Sequence, residues 1–262
     1  MKTPHRLIHA EDVSIAYGRP GRLQQVVHEV SFDAYRDEIV CIIGESGSGK
    51  TTFTDALLGL VPYKHAAITH GRIEFLDGRV KEEESCSIIG RELTYIPQDP
   101  NTGLDPLFSV RSNIDEVAAA LFRDMNKKRR EKLIEDKLHD VGINSREMDI
   151  SSYPHQLSGG MKQRILIALA LLSNPLCIIA DEPTSNLDVT TEKKIMDLFS
   201  AINRDQHISF IITTHDLRLA QKYAHRVYVF YKGRIVEAGP VESVFGNPHN
   251  EYTKDLLRSA ML

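Results

Sequence analysis

The chain lacks an apolar stretch long enough to span a bilayer. Its longest uncharged apolar window, 165–180, lies between Arg164 and Asp181 and is broken by Asn174-Pro175. A spanning helix needs roughly 20 apolar residues, and an internal proline removes a backbone donor. The chain is therefore not expected to cross a membrane by itself. Residues 1–6 lead into only a short apolar stretch, so no secretory leader is expected. The three cysteines, Cys41, Cys86 and Cys177, are odd in number, far apart and form no C-x-x-C pair. That excludes the usual disulfide or zinc frameworks, and the apolar runs around Cys41 and Cys177 predict buried free thiols in a reducing compartment. An excess of basic residues is missing as well: the formal net charge of -4 argues against broad nucleic-acid binding. Neither internal repeats nor low-complexity segments are present. The remainder, 262 residues with 42% hydrophobic and 26% charged, suits one large α/β domain or a core with an insertion.

Local patterns order that remainder. The apolar run 39–43 predicts a strand covered on both faces, followed at once by a glycine-rich loop and a helix over 51–60. Residues 71–76, ending in Asp77-Gly78, predict an edge strand and turn, and 93–96 another short strand. The charge run 81–84 reads as a solvated loop. Between 99 and 165 the period changes. Ile114, Val117, Ala118, Leu121 and Phe122, then Ile134, Leu138 and Val141, fall at helical spacing, with Gly142 as a stop. The basic run 127–130 is followed by Glu131, Glu135 and Asp136, which predicts a solvated helix start. Strand–helix alternation then resumes: a strand over 176–180, a helix through Ile195, Leu198, Phe199 and Ile202, a strand over 208–213, and a hairpin around Lys232-Gly233. Alternation of this kind predicts a mostly parallel sheet.

Gly44-Glu45-Ser46-Gly47-Ser48-Gly49-Lys50-Thr51 fits the phosphate-loop pattern in the required strand–loop–helix context. Its glycines let successive N–H groups converge on phosphates, and the helix start adds a positive dipole end. Lys50 is expected to reach the β- and γ-phosphates of ATP, and the hydroxyl of Thr51, next to Thr52, to coordinate Mg²⁺. The second feature is Asp181-Glu182 at the C-terminal end of an apolar strand, where ligands sit in open parallel sheets. Adjacent residues point in opposite directions. Asp181 is thus expected to serve the Mg²⁺ shell and Glu182 to orient or deprotonate the attacking water.

Leu157-Ser158-Gly159-Gly160-Met161 places a hydroxyl, bare backbone amides and a helix start together, which is a second anion site. With these flanks the chain resembles the ABC ATPase family, whose signature usually reads LSGGQ. The resemblance covers about residues 7–245. It implies a phosphate-loop NTPase core of α/β class with a mostly parallel sheet, an antiparallel β edge region and an inserted helical subdomain. The core would comprise 1–98 and 166–262, and the helical subdomain with its signature 99–165. It further implies that Ser158, Gly159 and Gly160 contact ATP held by a facing subunit. Gln98 matches the residue that senses Mg²⁺ and the attacking water, and His215 the histidine that grips the γ-phosphate. Ser185-Asn186-Leu187-Asp188 matches the loop that communicates across the dimer, with Asn186 in place of the common alanine. Tyr17 fits the aromatic that stacks on adenine.

Within the family, residues 44–50, 153–161 and 179–184 look like the peptide/nickel importer branch. The tail Gly246-Asn247-Pro248-His249-Asn250-Glu251-Tyr252-Thr253 resembles that branch's NPxHPYT element in part, with Asn250 and Glu251 replacing His-Pro. The implied protein is an ATP-hydrolysing subunit of an importer of peptides or of nickel and metal chelates, the chain length suiting the nickel- or metallophore-type members. Its implied partners are a second ATPase chain (the same or a paralogue), two permease subunits and, indirectly, an extracytoplasmic substrate-binding protein, with no nucleic acid. Its implied place is the cytoplasmic face of the inner membrane, held there by the permease. An exporter subunit would share the ATPase chemistry. A soluble ABC protein of ribosomes or DNA would carry two cassettes or a long coiled coil, and a nucleotide kinase would have no use for a second anion loop.

Overall fold

Burial along strand β3 (Ile39–Ile43) decides the layering. Every position is buried, and its side chains divide between two cores: Ile39, Cys41 and Ile43 in one, Val40 and Ile42 in the other. Successive strand residues face opposite sides, so β3 lies at the centre of a sheet covered on both faces, as its continuous apolar run predicts. The structure is a computed structural model that describes residues 5–19, 22–61, 65–78, 80–81, 87–144 and 149–260. The neighbours of β3 are β8 (Ser209–Thr214) and β9 (Arg226–Tyr231), both parallel to it. Beyond β8 lie β7 (Cys177–Asp181) and β6 (Leu93–Ile96), also parallel, and β10 (Arg234–Pro240) pairs antiparallel with β9. The result is the mostly parallel sheet expected, ordered β10-β9-β3-β8-β7-β6.

One face of this sheet is covered by α1 (Lys50–Leu57) and a second, antiparallel sheet. That sheet joins β1 (Arg6–Arg19), β2 (Arg22–Tyr35), β4 (Ala66–Phe75) and β5 (Val80–Lys81) in the order β2-β1-β4-β5. Phe53 locks α1 in place, edge-on to Phe32 at 5.5 Å and tilted against Phe230 at 5.7 Å. Such ring pairs add about 0.5–1.5 kcal/mol each beyond the area they bury. Two expectations need correction. The strand expected at an edge over 71–76 is β4, which starts at Ala66 and lies inside its sheet, because β5 pairs along its far side. The helix expected to reach residue 60 ends at Leu57, where the Gly59 and Leu60 N–H groups bond back to Ala56 and Asp55. Of the charge run 81–84, Lys81 lies in β5 and the rest outside the described residues.

Helices cover the other face. Residues 99–165 hold α2 (Val110–Leu121), α3 (Lys127–Asp140) and the start of α4 (Gly159–Leu171), which runs past the boundary expected at 165; the three are capped by Ser109, Asn126 and Ser158. Val110, Ile114 and Ala118 of α2 and Ile134 and Leu138 of α3 join the core under the parallel sheet. The basic start of α3 is exposed at 127–129, as expected. Gly142, at φ 71, ends the helix, and Arg164 of α4 donates to the stranded Val141 carbonyl at 3.0 Å. Then come α5 (Val189–Gln206), α6 (Leu217–Tyr223), α7 (Val241–Gly246) and α8 (Glu251–Ala260). Cys41 and Cys177 are buried free thiols, and burial pushes both up to about 12, which keeps them protonated and inert. Cys86 lies outside the described residues. Among the described residues no helix is long and apolar enough to cross a membrane.

Candidate nucleotide site

The loop 44–49 leaves the end of β3 and turns directly into α1. Gly44 takes φ 152, and a Cβ there would overlap the Phe230 carbonyl oxygen of the neighbouring β9. Only glycine lets the loop cross that strand end. Glu45, Ser46 and Gly47 are exposed at the crown of the loop, while Ser48 is buried. Lys50 opens α1 and is 4% exposed. Its ammonium donates to the Gly44 and Glu45 carbonyls at 2.8 and 3.0 Å and lies 3.7 Å from Glu182 Oε1. Burial pushes the Lys50 pKa down, opposed by the nearby Glu182 and Asp181 carboxylates.

Those carboxylates come from the end of β7, two strands away from β3. Asp181 is buried and accepts the hydroxyls of Thr51, at 3.3 Å, and of Thr213 on β8. Glu182 adopts φ 41, the left-handed region that a non-glycine residue enters at a cost of about 1–3 kcal/mol. The Thr213 carbonyl and hydroxyl hold it there, both accepting its N–H at 3.1 and 2.9 Å. The Glu182 carboxylate meets other partners than Asp181 does. Its Oε2 accepts from Gln98 Nε2 at 3.2 Å, and His215 Nδ1 lies 3.2 Å from the same oxygen. Lys50, Gln98 and His215 thus converge on one carboxylate from three separate elements. Their donors would converge equally on another anion placed there.

Tyr17, on β1, reaches the same region. Its hydroxyl is 3.3 Å from Thr52 Oγ1 in the first turn of α1. The structure therefore gathers Tyr17, 44–52, Gln98, Asp181, Glu182 and His215 around one loop. It also adds Thr213, which sequence reasoning missed. A threonine at a strand end carries no signal by itself; its place two residues before His215 was the available clue.

The remaining expected residues form a second group. Ser158 caps α4 by accepting the Met161 N–H at 3.3 Å. The backbone of residue 161 makes this bond, so methionine in place of glutamine leaves the cap intact, and its side chain packs against the core. Asp188 accepts the N–H groups of Thr190 and Thr191, each at 3.0 Å, and the Thr191 hydroxyl at 2.6 Å. The Thr191 hydroxyl, the Thr191 and Thr190 amides together hold its carboxyl below the usual range. The two loops touch: a Cβ on Gly160 would meet the Thr191 methyl at 2.5 Å, and one on Gly159 the Leu187 side chain at 3.2 Å. Gln98, Asn101, Gly159, Lys162, Asn186 and Leu187 line a cleft between the two groups, where Lys162 donates to Asn101 at 2.8 Å.

A loop that wraps phosphates at the end of one strand, answered by carboxylates two strands away, characterises phosphate-loop nucleotidases. A second glycine loop opening a helix narrows that class to ATP-binding cassettes. The family model described as ABC transporter matches residues 27–185, and the chain belongs to that family. It is 39% identical over 259 residues to the dipeptide transport ATP-binding protein DppD of Bacillus subtilis, covering 97% of this chain and 76% of that protein. It is also 39% identical over 255 residues to the peptidoglycan transport ATP-binding protein YejF of Agrobacterium fabrum. There the match covers 96% of this chain but only 46% of the relative, so the chain spans about half of that protein's length. Among solved structures, a dimeric ATP-binding cassette in a post-hydrolysis state with ADP and Pi superposes with a TM-score of 0.76 at 26% identity. That match covers 90% of this chain and 99% of the other. The chain is accordingly an ATP-binding, ATP-hydrolysing subunit of the ABC type, homologous to dipeptide and oligopeptide transport ATPases.

Proposed function

We propose that this chain energises peptide import by closing, with a second ATPase chain, over two molecules of ATP. The observation that carries the reading is the separation of two anion-binding loops: 44–51 beside Asp181 and Glu182, and 158–160 beside Asp188. One γ-phosphate needs only the first. The second is free to complete the site of a facing subunit, and the dimeric cassette similar to this chain supports that arrangement. The facing subunit is a second copy or a paralogue.

In each composite site Gly44 to Thr52 cradle the phosphates and Tyr17 lies against the adenine. A γ-phosphate takes over the donors of Lys50, Gln98 and His215 that the Glu182 carboxylate holds in the structure. Glu182 is thereby released toward the attacking water, which it orients or deprotonates, while Ser158, Gly159 and Gly160 approach from across the interface. The hydroxyl and carboxylate oxygens of Thr51 and Asp181, already in contact, with the Gln98 amide oxygen, form the hard donor set that suits Mg²⁺. When bound, that ion would supply positive charge to offset that of the phosphates.

The peptide-transport names of the relatives support a peptide cargo and carry no support for nickel. Closure would move a pair of permease chains through residues 99–165, fed by a substrate-binding protein outside the membrane, with this chain peripheral on the cytoplasmic face. Ser158→Arg tests the scheme. It should abolish ATP-dependent dimerisation while ATP affinity of the single chain stays unchanged; equal loss of both would refute a site completed in trans. Native mass spectrometry of a gently solubilised complex should show two ATPase and two permease chains.

A further inference from the structure

The segment 247–253 takes no part in the site as described, yet it ends beside the phosphate loop. Glu237, on β10, accepts the N–H groups of His249 at 2.7 Å and Asn250 at 3.2 Å. Asn250 Oδ1 in turn accepts the Tyr252 N–H at 2.9 Å. These bonds set the first turn of α8 across the end of β9. There Tyr252 stacks on Tyr231, with ring centroids 3.9 Å apart and planes inclined by 26°. Its hydroxyl is buried, faces the Glu45 backbone and has no partner in full hydrogen-bonding geometry. The hairpin that follows Tyr231 also holds the loop. Gly233 donates its N–H to the Ser48 carbonyl at 2.8 Å, and the Lys232 ammonium lies 4.9 Å above the Tyr231 ring.

We infer that Tyr252, through its stack on Tyr231 and its contact with Glu45, positions the phosphate loop, so that the tail segment sets ATP affinity. The inference rests on reading 44–51 as the ATP-binding loop. A loop with glycine at 44, 47 and 49 has unusual backbone freedom, and binding must restrict it. Any contact that restricts it beforehand returns as affinity. Of the expected nucleotide contacts Tyr252 meets only Glu45, at its backbone, so its effect reaches ATP through the loop. It is a positioning residue, not a catalytic one.

The test compares variants of the full chain by titration with a fluorescent ATP analogue and by steady-state hydrolysis. Tyr252→Ala should raise the Kd and KM for ATP about three- to tenfold, the worth of one aromatic pair. Turnover at saturating ATP should stay within about twofold, since the reacting groups are untouched. Tyr252→Phe keeps the stack but loses the hydroxyl that faces Glu45, and should raise the Kd by less than Tyr252→Ala does. Glu237→Ala unties the tail without touching the loop and should raise KM in the same direction. Hydrogen exchange of the amides of 45–49 should quicken in Tyr252→Ala while that of β7 and β8 does not. Unchanged ATP affinity in folded Tyr252→Ala and Glu237→Ala, even with a lowered Tm, would overturn the inference. If Tyr252→Ala does not fold, Glu237→Ala decides. Parent chain that binds ATP and Lys50→Ala that does not establish the underlying site reading separately.

Discussion

Replacing Glu182 by glutamine removes one negative charge and leaves the side chain's shape almost unchanged. In the structure that charge lies 3.7 Å from the Lys50 ammonium, and the two side chains are only 14% and 4% exposed. At an effective dielectric near 20, a pair at this distance attracts with about 4 kcal/mol. Most of that attraction offsets the desolvation of two buried charges. A net remainder of about 1.4 kcal/mol would still strengthen ATP binding roughly tenfold once the competing carboxylate is gone. Catalysis should move the other way, because glutamine accepts no proton. Loss of a positioned base lowers turnover by about 10²–10⁴, or roughly 3–5 kcal/mol of barrier. Equilibrium titration with ATP, single-turnover hydrolysis and gel filtration with ATP measure the three consequences. Glu182→Gln should bind more tightly, hydrolyse very slowly and persist as a closed dimer. Near-normal turnover would refute the base assignment. Weaker ATP binding would refute the competition between Glu182 and the γ-phosphate for Lys50.

Thr213→Val should lower turnover about tenfold and stability by about 1–2 kcal/mol, since it strips one bond from Asp181 and one from the Glu182 N–H; kcat and thermal melts check both. Gly160→Ala forces a methyl onto Thr191, so ATP-dependent dimerisation should weaken while ATP affinity of the single chain stays, as sedimentation and titration would show. Asp188 is held below the ordinary carboxylate range by the Thr191 hydroxyl and the Thr190 and Thr191 amides. A depressed folded pKa contributes stability above the unfolded value near 3.9, lost as pH falls through the folded pKa. Asp188→Ala should therefore lower the Tm at pH 7 and flatten the decline of Tm below pH 4, measured by melts across that window.

Local chemistry made much of the site legible. A phosphate loop must follow an apolar strand and open a helix, and both neighbours are contiguous with it in sequence. The same holds for Asp181-Glu182 at the end of β7 and for Ser158-Gly159-Gly160 at the start of α4. The first 35 residues gave no comparable signal. Strands β1 and β2 are 14 residues long, but register shifts such as that between Ala10 and Val13 break the two-residue period. Asp12 and Glu29, at φ 51 and 49, mark those irregularities. A strand whose alternation slips does not look like one in a short window.

What sequence alone determined was therefore the inventory: a glycine-rich loop running into Lys50 and Thr51, two adjacent carboxylates at a strand end, and a second glycine loop at a helix start. Each depends on residues within a few positions of one another, where backbone geometry dictates which way side chains point. Tertiary structure decided which of these groups meet. It placed Gln98, Lys50 and His215 on one oxygen-rich point, brought Thr213 under Asp181 and Glu182, and laid Tyr252 beside Glu45. These contacts join residues 31 to 207 positions apart, so they follow from strand order and packing, which no local pattern encodes.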